Sequence, residues 1–282
     1  MQTVPSAAQS GLAFLHQYHQ EHPLDLDDDR FVMLHERFLH ELSTIGTLAD
    51  HLNATERANY GAICSRCHKR YLAIKEAQEN KNLLAIARNA GTSTGESVSG
   101  FGRSAFPPLT TTQLAAFRSG RDFNPALKPS SSLRTLLDFR GCKNVVMVGS
   151  GAFPATLLWL SDNFPTLHYV GLDIDPGCVT MATELVTALG IGNVRFEPID
   201  GRQYNYGSTD FVYVANYVVP KRAVLEQIAR STSVRRVVVR EPTRGGELLA
   251  EAVRCDLPSV FVADAAGAEA GIMMYDLLLR RG

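Results

Sequence analysis

The chain of 282 residues has a formal net charge of −1, with 45% hydrophobic and 20% charged residues. This composition is typical of a globular protein with one large domain or two modest ones, and it excludes wholesale disorder. The 28 Lys and Arg residues nearly balance the 29 Asp and Glu residues, and neither half of the chain carries a basic excess, so neither a nucleic-acid partner nor an anionic membrane surface is expected.

The beginning of the chain lacks the pattern of a secretory signal. No Lys or Arg precedes Arg30, and no long apolar run follows the first residues. The longest uncharged stretch, 144–161, is interrupted by two glycines and a proline, so we predict no membrane span. We therefore expect a cytoplasmic protein.

Five scattered cysteines do not form a disulfide framework. Cys64 and Cys67, followed by His68, have the spacing of a c-type haem attachment motif, but they lie in a helical stretch and we interpret them as helix-facing thiols. Three histidines recur at every third position and are interpreted as a solvated helix face: His16, His19 and His22. No metal site is expected.

Helical patterns dominate the first part of the chain. Asp27–Asp29 place negative charge at a helix N-terminus, and apolar residues follow at helical spacing up to Ile45. A second helix is predicted from Glu56 to Ala90, before Gly91. The glycine-rich segment 91–104 is predicted to be either a connector or a lid over the site. Two short helices are predicted beyond it: Thr112–Arg118 and Leu133–Phe139.

From residue 144 onward, apolar strands alternate with helices, which predicts a mostly parallel sheet covered on both faces. The predicted strands are Val145–Val148, Tyr169–Leu172, Val194–Glu197, Phe211–Ala215, Val237–Arg240, Val260–Val262 and Gly271–Leu279. The predicted helices are Pro154–Asn163, Gly177–Leu189, Lys221–Arg230 and Gly245–Arg254. Since only the small-residue turn 264–270 separates the last two strands, the final strand is predicted to be antiparallel.

The predicted fold class is α/β. By analogy it is the Rossmann-like doubly wound sheet of class I S-adenosylmethionine (SAM) enzymes, with an antiparallel last strand and an α-helical domain before it. We place the helical domain, a cap over the substrate, at residues 1–128 and the SAM-binding domain at residues 129–282.

Three signals follow successive strands and predict a nucleoside site. The turn Gly149-Ser150-Gly151 lets the backbone approach a ligand at a helix N-terminus. Asp173 closes the next strand, where an acid binds ribose hydroxyls. Asp200 follows the third strand, where SAM enzymes bind the adenine amino group. The alternative is that these acids only cap helices and turns.

These residues resemble the nicotianamine synthase family. Val148-Gly149-Ser150-Gly151-Ala152-Phe153-Pro154 is similar to the V-G-S-G-P-x-P turn of that family, and Leu172-Asp173-Ile174-Asp175 to its F-D-I-D motif. Val239–Arg244 stands where the family has an L-R-S-x-x-G segment. Met147 replaces the acid that methyltransferases carry two positions before the first glycine. The chain is shorter than the plant enzymes and resembles more closely the bacterial relatives that make opine metallophores of the staphylopine and pseudopaline type.

The resemblance implies transfer of the 3-amino-3-carboxypropyl (aminobutanoyl) group of SAM to an amine, with release of methylthioadenosine. Histidine is the leading acceptor. Family members use a glutamate near the domain junction, and the junction here, residues 130–135, has none, which favours an acceptor other than that of nicotianamine synthases. The alternative is a SAM-dependent N- or O-methyltransferase of a small molecule. A third interpretation is a SAM- or nucleotide-binding regulatory protein.

The candidate site residues fall into two groups. Tyr217 and Arg240 end two strands and are candidates to orient the amine and to bind the acceptor carboxylate, while Glu96 and Glu241 are candidate bases. The candidate SAM-binding residues are Gly149, Ser150, Gly151, Phe153, Pro154, Asp173, Ile174, Asp175, Asp200, Gly201, Ala215 and Asn216. A small amino acid is the expected partner, and a homodimer is a further expectation.

Overall fold

The computed structural model describes residues 6–45, 52–89, 137–253, 256–268 and 274–282. Three helices come first: α1 (Ser6–Gln20), α2 (Asp28–Ile45) and α3 (Ala54–Asn89). Strands and helices then alternate as β1 (Asn144–Val148), α4 (Ala155–Asn163), β2 (His168–Asp173), α5 (Pro176–Ala188), β3 (Val194–Pro198), β4 (Phe211–Val214), α6 (Lys221–Ala229), β5 (Arg236–Pro242), β6 (Phe261–Ala268) and β7 (Met274–Arg281). Short 3-10 helices are Pro23–Asp25, Tyr206–Ser208 and Arg244–Leu248.

The strands form one seven-stranded sheet in the order β3-β2-β1-β4-β5-β7-β6. The first five pair in parallel, and β7 pairs antiparallel with both β5 and β6. This order confirms the predicted fold class, including the antiparallel last strand. The order reverses at β1, so the carboxyl ends of β1 and β4 flank the crevice in which ligands bind in such sheets.

The sheet is buried on both faces because its strands are nearly continuous apolar runs. Val145 and Tyr213 face one core with α4, and Val146 and Val212 face the other with α6. A third core lies among the helices and includes Phe31, Phe38, Cys64 and Cys67. None of the described helices is long and apolar enough to cross a membrane.

Helix α3 belongs to both parts of the molecule. Its first half packs in the helical core, whereas Leu83, Leu84 and Ala87 pack in the core of the sheet. Between them, Asn80 donates hydrogen bonds to the Ala152 carbonyl at 2.7 Å and to the Met181 carbonyl at 2.9 Å. The helix therefore connects the helical region to the loop after β1 through direct contacts. The boundary between residues 128 and 129 lies outside the described residues and stays a prediction.

Two predicted elements near the end of the chain are wrong. Residues 245–253 do not form an α-helix: only the 3-10 helix Arg244–Leu248 is present there, in keeping with the low helix propensity of the adjacent Gly245 and Gly246, and residue 254 lies outside the described residues. Residues 264–268 are not a turn: β6 continues to Ala268 beyond a bulge between Ala263 and Ala265 and pairs with β7.

In the helical region, His22 lies beyond α1 in a left-handed conformation with φ of 45°, so the three histidines do not share one helix. Leu137–Phe139 are not helical, and the rest of that predicted helix lies outside the described residues. The same is true of Thr112–Arg118 and of segment 91–104.

Candidate functional site

A cavity of about 470 Å³ opens at the carboxyl ends of β1, β2, β4 and β5, and α3 forms its opposite wall. This volume is in the range of small-molecule sites. All but one of the candidate SAM-binding residues line it, together with Tyr217 and Arg240. The exception is Pro154, which precedes α4 as its N-cap residue and is not among the lining residues. The side chains that α3 contributes are Lys69, Leu72, Ala73 and Glu76.

The loop after β1 needs its two glycines. Gly149 and Gly151 have φ of 77° and 68°, in the left-handed region. A Cβ at Gly149 would lie 2.7 Å from a methyl group of Val218, and one at Gly151 would lie 2.3 Å from Oε2 of Glu76. The second glycine therefore makes room for a side chain from α3, which the turn motif alone does not indicate.

Asp173 connects this loop to the end of β2. Its Oδ2 accepts a hydrogen bond from the Gly151 N–H at 2.9 Å, and its Oδ1 accepts one from the Asp175 N–H at 3.0 Å. Asp175 in turn caps α5 by accepting from the Gly177 N–H. Both acids thus cap turns and line the cavity at once. Between them, the Ile174 side chain is 72% exposed and presents an apolar surface to the cavity.

Asp200 lies at the cavity after β3 and is held by Arg202. The guanidinium Nη2 of Arg202 lies 2.6 Å from Oδ2 of Asp200, and this hydrogen bond lowers the pKa of the carboxyl. The next residue, Gly201, is tightly packed, because a Cβ there would lie 2.7 Å from Val148. Asp200 therefore presents an ionised carboxylate at this side of the cavity.

Glu76 is the functional candidate that the sequence analysis missed. Its Oε2 accepts a hydrogen bond from the Ala152 N–H at 2.9 Å, so the carboxyl lies on the loop after β1. Burial raises its pKa to about 7, and the nearby Asp173 carboxylate adds to this, although backbone N–H groups of Ala152 and Phe153 lower it. A carboxyl that exchanges its proton near neutral pH is suited to general acid–base chemistry.

Tyr217 stands on the cavity wall at the end of β4. Its hydroxyl is joined to Nε2 of His68 in α3 by a hydrogen bond of 2.6 Å. Burial raises the pKa of Tyr217 to about 12. A hydrogen bond with the Asn216 side chain and the Arg240 guanidinium both lower this pKa, and the Glu76 carboxylate raises it. These effects place the hydroxyl in the electrostatic field of both charged side chains.

Arg240 forms an ion pair with the buried Asp276 of β7. Its Nε lies 3.0 Å from Oδ1 and its Nη2 lies 3.3 Å from Oδ2 of that carboxylate. The guanidinium also lies over the ring of Tyr213, with Cζ 5.6 Å from the ring centroid. Arg240 is therefore fixed at the cavity by a partner from the antiparallel strand.

Two buried polar atoms of the lining have no hydrogen-bond partner among the described residues. They are Ser150 Oγ and Asn216 Oδ1, and both residues are at most 4% exposed. Since a buried unsatisfied polar group costs about 1–3 kcal/mol, these two atoms are suited to bind polar groups of a ligand.

The remaining candidates do not join the site. Glu241 is wrong as a base: it is buried outside the lining, pairs with Lys221 at 3.3 Å and accepts from the Val253 N–H. The reason is strand alternation, because Arg240 faces the cavity and its neighbour faces the other side. Glu96 lies outside the described residues. Within the parts of the chain that the structure describes, no group of three or more His, Cys, Asp or Glu could hold a metal ion.

Comparison with solved structures gives likenesses over the whole length of the chain. The chain is similar to the crystal structure of MtNAS in complex with MTA and tNA, with 15% identity, coverage of 99% of this chain and 100% of that chain, and a TM-score of 0.70. It is also similar to a glutamate-to-glutamine variant of MtNAS in complex with S-adenosylmethionine, with 15% identity, 99% coverage of both chains and a TM-score of 0.67. No protein-family model and no curated protein matches the sequence. The chain thus has the fold of the nicotianamine synthase MtNAS, helices and sheet together, as the resemblance implied.

Proposed function

We propose that this protein transfers the 3-amino-3-carboxypropyl group of SAM to the amine of an amino acid and releases methylthioadenosine. The observation that carries the proposal is the position of Glu76, which reaches from α3 onto the nucleotide-binding loop with a pKa of about 7. Solved structures with the same fold are described as complexes with S-adenosylmethionine and with MTA, the abbreviation for methylthioadenosine, and this supports the proposal.

The lining fits SAM. Asp173 is placed to bind the ribose hydroxyls, Ile174 to cover the adenine, and Asp200 to accept from the adenine amino group. The unpartnered Ser150 Oγ and Asn216 Oδ1 would bind the polar amino-acid end of SAM. When bound, SAM supplies an electrophilic carbon of its 3-amino-3-carboxypropyl group and a neutral thioether as leaving group.

Glu76 is the base in this proposal. An amine attacks carbon only when its nitrogen lone pair is free, and amino-acid amines are mostly protonated at neutral pH. A carboxylate with a pKa of about 7 accepts the ammonium proton at little cost, whereas an ordinary glutamate would be a much weaker base. Because Met147 replaces the acid that methyltransferases carry two positions before the first glycine, the carboxylate at this loop comes from α3 instead.

Arg240 and Lys69 give the acceptor a place to bind its carboxylate. Asp276 fixes the plane of the Arg240 guanidinium, which has further N–H groups to offer beyond those that Asp276 accepts. Lys69 adds a second cation at the exposed edge of the cavity. We propose an amino acid as acceptor, with histidine first, and a nicotianamine-like opine metallophore as the product of the pathway.

The test is to incubate the protein with SAM and a panel of amino acids and to identify the nucleoside product by mass spectrometry. Methylthioadenosine that appears only with an acceptor is expected. S-adenosylhomocysteine as the only product would overturn the proposal in favour of a methyltransferase, and binding of SAM without turnover would favour a regulatory protein.

A pair of variants sharpens this test. Glu76→Gln should abolish product formation while the protein still binds SAM. Glu184→Gln, on the exposed surface of α5 and away from the cavity, should leave turnover unchanged. Full activity of the Glu76 variant would contradict its role as base.

A further inference from the structure

Glu76 and Asp173 place two carboxyl groups on one short stretch of backbone. The Gly151 N–H donates to Oδ2 of Asp173 at 2.9 Å, and the next N–H, that of Ala152, donates to Oε2 of Glu76 at 2.9 Å. A Cβ added at Gly151 would lie 2.3 Å from Oε2 and 3.0 Å from Oε1 of Glu76. The carboxyl group of Glu76 therefore packs directly against the glycine turn, beside a second carboxylate.

The sulfur of SAM would lie at this turn. In the proposed placement Asp173 binds the ribose, while Ser150 Oγ and Asn216 Oδ1 bind the amino-acid end. Because the sulfur joins these two parts of the ligand, it would lie between the residues that bind them, at the turn against which Glu76 packs. The sulfonium would thus bring a positive charge close to the Glu76 carboxyl group.

The charge on this sulfur and the charge on Glu76 depend on each other. Without a cation, burial and the Asp173 carboxylate disfavour the ionised form of Glu76 and raise its pKa to about 7. A sulfonium nearby offsets both effects, because opposite charges attract strongly in a poorly hydrated cavity, whereas a neutral thioether does not. Since such coupling is reciprocal, the protonation of Glu76 also affects which sulfur compound binds more tightly.

We propose that Glu76 distinguishes SAM from neutral thioethers by charge: its ionised carboxylate favours binding of the sulfonium, and its protonated carboxyl group removes that preference so that methylthioadenosine can be released. This inference rests on the proposed function, which places SAM in the cavity. It goes further in making the proposed base a specificity-determining residue for substrate against product.

One turnover removes both charges from the turn. The acceptor ammonium gives a proton to the Glu76 carboxylate, and the neutral amine then forms the new C–N bond. The C–S bond breaks, its electron pair goes to sulfur, and the positive charge passes to the new secondary ammonium. Glu76 is then protonated next to a neutral thioether, and it must lose its proton to solvent before the next SAM binds tightly.

The other charged side chains around the cavity come from the helical region and from several strand ends. They are Lys69 of α3, Asp173 and Asp175 after β2, Asp200 after β3 and Arg240 of β5. Asp200 and Arg240 are already in the ion pairs described above.

Three uncharged titratable groups also line the cavity: Cys178 of α5, Tyr213 of β4 and Tyr217 after β4. Burial raises the pKa of Cys178 and of Tyr217 to about 12 and also raises that of Tyr213. All three therefore stay protonated between about pH 5.5 and about pH 8.5. We expect Glu76 to dominate any change in SAM preference within this range.

SAM and S-adenosylhomocysteine are matched probes, because they differ only in one methyl group and in the charge on sulfur. Isothermal titration calorimetry without an acceptor gives the ratio of their dissociation constants, in which the ionisation of their common amine largely cancels. Between about pH 5.5 and about pH 8.5 this ratio should shift roughly 10-fold in favour of SAM, as expected if the sulfonium lowers the pKa of Glu76 by about one unit.

Proton release gives a second readout. At about pH 7, titrations in buffers of different ionisation enthalpy should show that SAM releases up to about half a proton more than S-adenosylhomocysteine does. Glu76→Gln should lose both the extra proton and the pH dependence of the ratio, whereas Glu184→Gln, on the exposed surface of α5, should behave as wild type.

A pH-independent ratio in wild-type protein would overturn the inference, and so would an undiminished pH dependence in Glu76→Gln. The wild-type series is decisive even if the variant does not fold. Methylthioadenosine formation together with a pH-independent ratio would leave the proposed function standing and refute this inference alone. A pH-dependent ratio without turnover of any acceptor would support the inference and refute the transfer reaction. If neither ligand binds, both proposals fail.

Discussion

Replacing Glu76 by glutamine removes a buried charge, and the structure gives the size of the effect on stability. The cavity raises the pKa of Glu76 from 4.5 to about 7. Since one pKa unit corresponds to about 1.4 kcal/mol, the ionised side chain costs the folded protein roughly 3 kcal/mol. Glutamine keeps the shape and one acceptor oxygen, but it cannot accept the second hydrogen bond from the loop. This lost hydrogen bond reduces the gain in stability by about 1 kcal/mol. The net gain is roughly 2 kcal/mol.

This gain depends on pH with a defined sign. Because the folded carboxyl has the higher pKa, the folded protein binds more protons than the unfolded chain between pH 4.5 and about 7, and wild-type stability falls as pH rises through that window. Glu76→Gln should therefore melt roughly 4–8 °C higher than wild type above about pH 8. Below about pH 4.5, where the carboxyl is neutral in both states, that advantage should disappear.

Thermal unfolding followed by circular dichroism at the two ends of this range measures the difference. Glu184→Gln removes an exposed carboxylate and should leave the melting temperature close to wild type at both pH values. If the Glu76 variant shows no advantage at high pH, the carboxyl is not under the burial penalty that the structure implies, and the argument for its role as a base near neutral pH fails.

Three further outcomes are expected. Asp173→Ala should weaken SAM binding roughly 100-fold in isothermal titration calorimetry, because each lost hydrogen bond to a charged group is worth about 1.5–3 kcal/mol; unchanged affinity would remove the ribose assignment. Gly151→Ala should lower both kcat and the melting temperature more than Gly190→Ala does. Both glycines have a positive φ, but only the methyl group added at Gly151 would meet a side chain. Equal effects of the two substitutions would point to backbone strain alone. Lys221→Met removes the buried ammonium that pairs with Glu241 and should cost about 3–5 kcal/mol in urea denaturation, against little change if that ion pair were dispensable.

The sheet and the glycine turn after β1 could be predicted from sequence because their signals are local. An apolar run such as Val145–Val148, followed by two glycines and a helix, specifies strand, turn and helix within a dozen residues. Strand alternation is equally local, and it is sufficient to place Arg240 and Glu241 on opposite faces of the sheet.

The position of Glu76 and the pairing of Tyr217 with His68 could not be predicted in this way. The pattern of α3 predicts a helix with an apolar stripe, but not which of its other faces meets the sheet. The helix that carries Glu76 also contacts this part of the chain through Asn80, which donates to the Ala152 carbonyl 72 residues away, and through Leu83, which packs in the core of the sheet. His68 and Tyr217 are similarly brought together from positions 149 residues apart. Such pairs depend on tertiary packing, for which a single sequence carries no local signal.

Helix α3, with its 36 residues, allows few insertions or deletions in this part of the chain. One helix sets the spacing of His68, of Glu76 and of Leu83, which packs in the core of the sheet. A single inserted residue between the first two would turn everything after it by about 100° and shift it by about 1.5 Å along the axis. Natural variants of this protein should therefore differ by substitution on the exposed side of α3, while insertions and deletions should occur before His68 or after Ala87.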